Sequence, residues 1–442
     1  MQNRSDGVIF FTPPYEHLIK KVRPIDLEAI PLVPIGSASV FSYISQKSNI
    51  SCHFYHGADY SPRVIRNEIV ARRPSVVAIS CFSRNRFACL EIARIAKLVD
   101  ASIRVVLGGP HPTFLDEQIL RHYSFVDYIV RGEGEVTFYE LVMSLRQGTD
   151  PAKVEGISFR QNGHVVRTKT RMRLPSLDGM PPIDYSVILE GIPVRHLPQR
   201  VVYRLVPIET SRGCPFECSF CSTVGMWGRK VTYRSVEQVV SQLKILVSRG
   251  IREFLFHDMN FTLDRLYVRN LCLEIKRCGL DISWICMTRL TLVDEKILRL
   301  MKDAGCFVVI YGMESFSREV LKRLGKSDNL DLLIKNINLT AELGLKTDLN
   351  FIIGLPGETE KSLFEAMNNR RKLHPDVRVS AEILKVMPGS PLYGELVRKG
   401  FDESYWLKEH RDSVPYYTGV LPLTVLKKWE KVFNVFFKER IS

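Results

Sequence analysis

Apolar residues in the first 150 positions fall into short runs separated by longer amphipathic stretches. Val8–Phe11, Val76–Ser80, Ile103–Leu107 and Asp127–Val130 are nearly continuous, and Ile50–Tyr55 alternates. Short runs rich in β-branched and aromatic side chains predict strands, and their continuity predicts burial on both faces. Between them, Pro34–Gln46, Ser61–Arg72, Phe87–Val99, a stretch opening at Thr113 and another running through Leu145 carry helical spacing. Ser61 followed by Pro62 predicts an N-cap and a proline already set for the first helical position. This alternation is the pattern of a parallel sheet covered by helices on both faces. Ligands on such sheets sit beyond the carboxyl ends of the strands. Here those ends are Ser80–Arg84, Gly108–His111 and Arg131–Glu135.

The pattern then changes. Asn162-Gly163 lies between the alternating runs Ile157–Arg160 and Val165–Arg167 and predicts a β-hairpin. Leu174–Pro198, with Pro175, Pro181, Pro182, Pro193 and Pro198, predicts an irregular linker. Strand runs follow at Pro207–Thr210, Glu253–Phe256, Ile282–Cys286, Phe307–Ile310, Lys346–Ile353 and Val379–Val386. Helical stretches separate them, among them Val236–Gly250, Asp264–Arg277, Asp294–Ala304 and Asn329–Leu343. Six such units predict an open βα-barrel, since a closed one takes eight. Leu392–Lys399 reads as a helix leaving the barrel, and Tyr405–Tyr417 has no clear period. Leu423–Arg440 spaces Leu426, Trp429, Val432, Phe433 and Phe436 as an amphipathic helix. That helix either packs across the open barrel edge or meets a partner or lipid. The expected class is α/β: a doubly wound parallel sheet over 1–150, a hairpin and linker over 151–205, a partial (β/α)6 barrel over 206–390, and a short helical tail over 391–442.

Composition narrows the class without naming a function. A chain of 442 residues suits about two or three domains, and its 45% hydrophobic and 25% charged content is that of a globular protein. The net charge of +14 is spread along the chain and reads as a solvated basic surface. Anionic substrates, acidic partners or a membrane surface are the alternatives. Ten cysteines are too sparse for a disulfide scaffold, so a reducing cytoplasm is expected. No apolar run approaches the ~18 residues of a spanning helix, and the N-terminal apolar run is too short for a signal peptide. No nucleic-acid-binding module is apparent.

The chemistry concentrates in Cys214-Pro215-Phe216-Glu217-Cys218-Ser219-Phe220-Cys221. Thiolates hold iron–sulfur clusters, and a four-iron cube takes one ligand per iron, so three local thiolates leave one iron open to a small molecule. The segment follows a strand, where a βα-barrel places its reactive loops. Zinc is the first competing reading, but it usually takes four ligands, often as paired CxxC units. Only one CxxC stands here. Buried structural thiols are the second. Cys272, Cys278, Cys286 and Cys306 read as small buried hydrophobes, and Cys81 lies at a strand exit.

C-x3-C-x2-C with aromatic Phe220 before the last cysteine resembles the signature of radical S-adenosylmethionine (SAM) enzymes. The resemblance implies a 4Fe–4S cluster on Cys214, Cys218 and Cys221 whose open iron chelates SAM. It also implies reductive cleavage of SAM to a 5′-deoxyadenosyl radical, fed by an electron donor such as flavodoxin or ferredoxin. It continues along the barrel. His257-Asp258-Met259-Asn260 stands where the family contacts the SAM amino group, which implies that role for Asp258 and Asn260. Arg289 matches the carboxylate contact, Glu314 and Ser315 the ribose contact, and Gly354-Leu355-Pro356-Gly357-Glu358 the segment against adenine. The side-chain chemistry suits these roles: arginine offers a fork to a carboxylate, and glycine permits close backbone approach. The plainer readings are helix caps for Asp258, Asn260, Glu314 and Ser315, a surface arginine, a plain turn at Gly354, and a helix-start carboxylate at Glu358.

The first third resembles the cobalamin-binding Rossmann-like domain that precedes the barrel in one radical SAM branch. Leu107–Thr113 and Val130–Glu135 carry that likeness, and the D-x-H-x-x-G cobalt-ligand motif is absent. The resemblance implies cobalamin as a third cofactor; the alternative is the same scaffold without it. His111, between two prolines, reads as loop-shaping. Glu133 and Glu135 read as a tight turn, with Glu135 at a helix N-terminus. The expected function is a cobalamin-dependent radical SAM methyltransferase acting on an unactivated carbon of a small-molecule, lipid or peptide substrate. The alternative is a radical cyclase, rearrangement or oxidation enzyme without methyl transfer.

Overall fold

In the computed structural model, the apolar run Val8–Phe11 forms β1 and is buried along its whole length. Residues 7–13, 35–55, 60–186, 205–408 and 414–436 are described. The loop after Pro13, together with Pro34, Pro193, Pro198 and the end of the tail at Arg440, lies outside them. The chain divides into two units, one of residues 1–175, 179–202 and 397–413, the other of 176–178, 203–396 and 414–442.

After β1, the first unit contains α1 (Ile35–Lys47), β2 (Cys52–Tyr55), α2 (Pro62–Arg72), β3 (Val76–Ser80), α3 (Arg86–Val99) and β4 (Arg104–Gly108). It continues with α4 (Pro110–Phe114), α5 (Asp116–His122), β5 (Tyr128–Val130), α6 (Glu135–Gln147), β6 (Ile157–Gln161) and β7 (His164–Arg167). The strands order as β2-β1-β3-β4-β5-β6-β7. The first five are parallel and the last two antiparallel. Order reverses between β1 and β3, the place where doubly wound sheets open a crevice. Ile9, Val77, Leu107 and Ile129 form the interior, each contributing about 1.5–3 kcal/mol on burial.

The hairpin forms as predicted. Asn162 and Gly163 both have positive φ, 51° and 79°, as a two-residue turn of the primed type requires. Its strand β6 pairs with β5, so the hairpin extends the sheet. The stretch expected to turn helical at Thr113 does so earlier, at Pro110, and breaks at Leu115 into two short helices. Pro110 sits at the first helical position, where its fixed φ fits. The sharp turn before it needs Gly109, whose φ is 101° and whose added Cβ would lie 2.6 Å from the Cys81 carbonyl oxygen.

The second unit begins with β8 (Val206–Ile208), β9 (Ser211–Arg212), α7 (Thr223–Trp227), β10 (Thr232–Tyr233), α8 (Val236–Ser248) and β11 (Glu253–Phe256). Next come α9 (Arg265–Arg277), β12 (Ser283–Thr288), α10 (Glu295–Asp303), β13 (Cys306–Glu314), α11 (Arg318–Arg323) and α12 (Leu330–Glu342). It ends with β14 (Lys346–Ile353), α13 (Glu360–Arg370), β15 (Arg378–Ile383), α14 (Pro391–Arg398) and α15 (Leu423–Phe436). Six strands, β8-β11-β12-β13-β14-β15, line up in chain order, all parallel. This is the partial barrel the strand count predicts. Asp264 and Asp294 cap α9 and α10 by accepting backbone N–H groups. Between the β8 run and the cysteines, Ser211-Arg212 pairs antiparallel with Thr232-Tyr233 at the base of the cysteine loop.

The tail helix α15 covers the edge strand β15. Leu426, Trp429 and Phe433 are buried. Asn434 Nδ2 donates to the Ala381 carbonyl at 3.1 Å, the Ala381 N–H donates to Asn434 Oδ1 at 3.4 Å, and the Ile383 N–H to Glu430 Oε1 at 3.3 Å. Side chains thus pair backbone groups that an open edge would leave exposed. Among the described residues no helix is long and apolar enough to cross a membrane.

Candidate functional site

The cysteine loop leaves β8 and is held at both ends. At its start, Thr210 and Ser211 donate their hydroxyls to Asp258 Oδ1, at 2.8 and 2.5 Å. Arg212 Nε donates to Glu209 Oε1 at 2.8 Å, and its guanidinium lies over the Trp227 ring. At its far end the Cys221 N–H donates to the Cys218 carbonyl. Phe220 packs against Val320, Leu324, Leu355, Leu384 and Leu392. The aromatic residue before the last cysteine therefore anchors the loop in the hydrophobic core.

The strand ends around this loop bring most of the sequence-predicted residues toward it. After β11, Asn260 Nδ2 donates to Cys214 Sγ at 3.1 Å. Both residues are nearly closed to solvent, 8% and 9% exposed. Asp258 is completely buried, and its Oδ2 has no hydrogen-bond partner. Burial pushes its carboxyl up to about 7 against the lowering effect of the Ser211 and Thr210 hydroxyls. Neither residue caps the next helix; Asp264 does that. Neighbouring His257 is driven toward its neutral form by burial, with Glu209 opposing. After β12, the Arg289 guanidinium stacks on Phe216 of the loop, 3.7 Å from the ring centroid.

At the end of β13 the register shifts between Gly312 and Glu314, and Glu314 takes φ 67°, a conformation uncommon outside glycine. This irregularity re-aims its carboxylate. Lys326 Nζ meets Glu314 Oε1 at 2.8 Å and the Gly312 carbonyl at 2.5 Å. The ion pair is buried, with side chains 8% and 9% exposed. A side chain at Gly312 would collide with the Glu314 carboxylate. Lys326 is the residue that sequence reasoning missed: a lone lysine after a short helix carries no pattern. Ser315 Oγ accepts from the Ser317 N–H, and Ser317 caps α11. After β14, the Gly354 N–H donates to Glu358 Oε2 at 2.5 Å, and its Cα faces Leu426 of α15. Glu358 precedes the cap of α13, which is Thr359.

The donor set suits a cluster. Burial raises the Cys218 thiol, while Lys326 and Arg289 lower it and Cys221 and Glu314 raise it further. Among the described residues no three His, Cys, Asp or Glu side chains converge as ligands of one ion. A cavity of about 630 Å³, lined by Tyr233, Arg234, Tyr267, Asn270 and Arg277 among others, includes none of these residues.

In the first unit two of the polar strand ends meet. Ser83 Oγ pairs with His111 Nδ1 at 3.0 Å, and burial drives the His111 imidazole down to about 3. The Trp406 ring packs edge-on against it. His111 is thus a neutral, buried loop-shaping residue. Glu135 stands in the first turn of α6 and accepts from Ser39 Oγ.

Residues 208–369 match the radical SAM superfamily model and residues 31–142 the B12-binding-domain model. A relative described as an uncharacterized methyltransferase, PH0819 of Pyrococcus horikoshii, is 32% identical over 87% of this chain and 82% of its own length. The chain belongs to the radical SAM superfamily. It is a radical SAM enzyme of the cobalamin-dependent branch, and its cofactors are a 4Fe–4S cluster, SAM and cobalamin. An anaerobic magnesium-protoporphyrin IX monomethyl ester cyclase of Rubrivivax gelatinosus is also 32% identical, over 76% of this radical SAM chain and 61% of the cyclase. The fold of this chain is similar to that of the radical SAM methyltransferase TsrM of Kitasatospora setae, with TM-score 0.71 at 19% identity over 89% of this chain and 75% of that one.

Proposed function

We propose that this radical SAM enzyme transfers a methyl group to an unactivated carbon of its substrate. The observation that carries the reading is the likeness to the PH0819 methyltransferase, which extends over 87% of this chain and 82% of that one. When bound, the cluster and cobalamin supply one-electron cleavage of SAM and a methyl carrier. The protein's part is to hold and orient. Cys214, Cys218 and Cys221 grip the cluster. Arg289, flattened on Phe216, offers its guanidinium edge to the SAM carboxylate. Glu314, aimed by the β13 irregularity, and Ser315 accept the ribose hydroxyls. Gly354 lies against the adenine with its backbone, Leu426 of α15 filling the space where a side chain would be. Phe220 fixes the loop that carries the three sulfurs. Hydrogen abstraction by a carbon radical needs no side-chain base, so no general acid or base is assigned.

The cyclase relative favours a second reading, radical ring formation without methyl transfer. One experiment separates the two. Protein reconstituted without oxygen and supplied with cobalamin, reductant and SAM should produce 5′-deoxyadenosine together with S-adenosylhomocysteine, the residue of a SAM that has lost its methyl group. Deoxyadenosine alone under these conditions would favour the cyclase reading. Cys218→Ala should abolish both products, and persistent cleavage in that variant would remove the cluster assignment.

A further inference from the structure

We propose that Asn260 sets the reduction potential of the iron–sulfur cluster by donating its amide N–H to the sulfur of Cys214. The inference rests on Cys214, Cys218 and Cys221 being the cluster ligands. It gives Asn260 a duty toward the cluster in place of the SAM contact that the motif resemblance suggests. The bond is 3.1 Å long and lies between two nearly solvent-free residues, where electrostatic terms are least screened. A metal-bound thiolate has lone pairs and no proton, so the amide must present its NH2 to it. Reducing the cluster adds a negative charge, part of which resides on the thiolates. A fixed donor gains more from the reduced state than from the oxidised one. Hydrogen bonds to the sulfurs are among the factors that set cluster potentials.

Donor and acceptor are each clamped. On the donor side, the Phe261 N–H donates to the Met287 carbonyl, and the Phe261 ring packs on Phe256 and Trp284 with centroids 4.9 and 5.2 Å away. On the acceptor side, Asp258 holds Thr210 and Ser211 just before Gly213 and Cys214. Two residues of one strand exit thus serve the loop together. Asp258 fixes where it starts, and Asn260 meets its first sulfur. The helix-cap duty that would otherwise explain Asn260 belongs to Asp264.

The test is an EPR-monitored redox titration of the reconstituted protein without SAM. Asn260→Leu keeps the volume and removes the donor. It should load iron and sulfide as the parent does, yet be about tenfold less reduced at a fixed solution potential, a fall of ~59 mV for one electron. Asn260→Gln, which keeps an N–H, should recover most of that fall. An unchanged potential in a fully loaded Leu variant, with SAM affinity weakened instead, would overturn the proposal in favour of a SAM contact. Should the Leu variant take up no iron, unaltered protein carrying 15N-asparagine decides the matter. Pulsed EPR of its reduced cluster should show a coupled asparagine nitrogen, and its absence refutes the bond. Iron and sulfide analysis of the unaltered protein tests the cluster assignment separately, so the two failures are distinguishable.

Discussion

Glu358 shows what a buried carboxyl contributes when no cation meets it. Burial pushes its pKa up from the ordinary 4.5 to about 8, although the N–H groups of Gly354 and Leu355 pull the other way. The folded protein therefore binds this proton more tightly than the unfolded chain does. Its stabilising effect is complete below about pH 4.5 and is lost as pH rises to about 8, at up to ~1.4 kcal/mol per unit. Glu358→Gln should remove that slope, so urea unfolding should show the variant gaining on the parent across this window and holding level above it. Glu314 is the opposite case, a buried carboxylate with a cation in contact. Lys326→Met would strand it, and losing one member of a buried pair costs about 3–5 kcal/mol. The double change Lys326→Met with Glu314→Gln should recover part of that loss in the same unfolding measurement. Equal losses in the single and double variants would show that lysine packing, and not charge, is what matters there.

Among the elements, α15 has the clearest separable task, because its side chains pair the backbone of β15. Leu426→Ala should cost about 2–5 kcal/mol as a buried leucine truncated in a packed site. It would also open space against Gly354, whose added Cβ would sit 3.0 Å from a Leu426 methyl. Removing the chain after Pro422 should bare the β15 edge and make the protein aggregate, read by light scattering, whereas a monodisperse product would mean the edge needs no cover. The pattern of the sequence shows this helix and the parallel strands plainly, since continuous apolar runs and helical spacing survive in a single chain. It does not show β9 and β10, because two residues have no period. It does not show α11, six residues set by a serine cap. Strand β13 runs on to Glu314, past the apolar run that ends at Ile310, because the irregularity there is a backbone event without a compositional sign. The site follows the same division. The three cysteines stand out by spacing and type, and the family resemblance is what picks out Phe220 and Arg289. Lys326 and the Asn260–Cys214 bond come from distant positions and emerge only on folding.

At the scale of the whole molecule, each cofactor-binding sequence lies in its own unit. Cys214, Cys218 and Cys221, the proposed cluster ligands, are all in the second, and the seven-stranded sheet of the first contains none of them. Loss of one cofactor should therefore leave the other's binding intact. Replacing Cys214, Cys218 and Cys221 together with alanine should eliminate iron while the visible absorption of bound cobalamin keeps the parent's stoichiometry. Gly109→Val should do the reverse. It drives a β-branched side chain into the Cys81 carbonyl at a φ of 101°, which distorts the ends of β3 and β4 where a doubly wound sheet binds its ligand, and iron content should stay near the parent's. Two units also need not unfold as one. A ligand bound only by folded protein stabilises by about 2.7 kcal/mol at a hundred times its Kd, so saturating cobalamin should raise one calorimetric transition and leave the other where it was. A single transition that moves as a whole would show that the units are energetically welded, and the independence argued from their separate sheets would then fail.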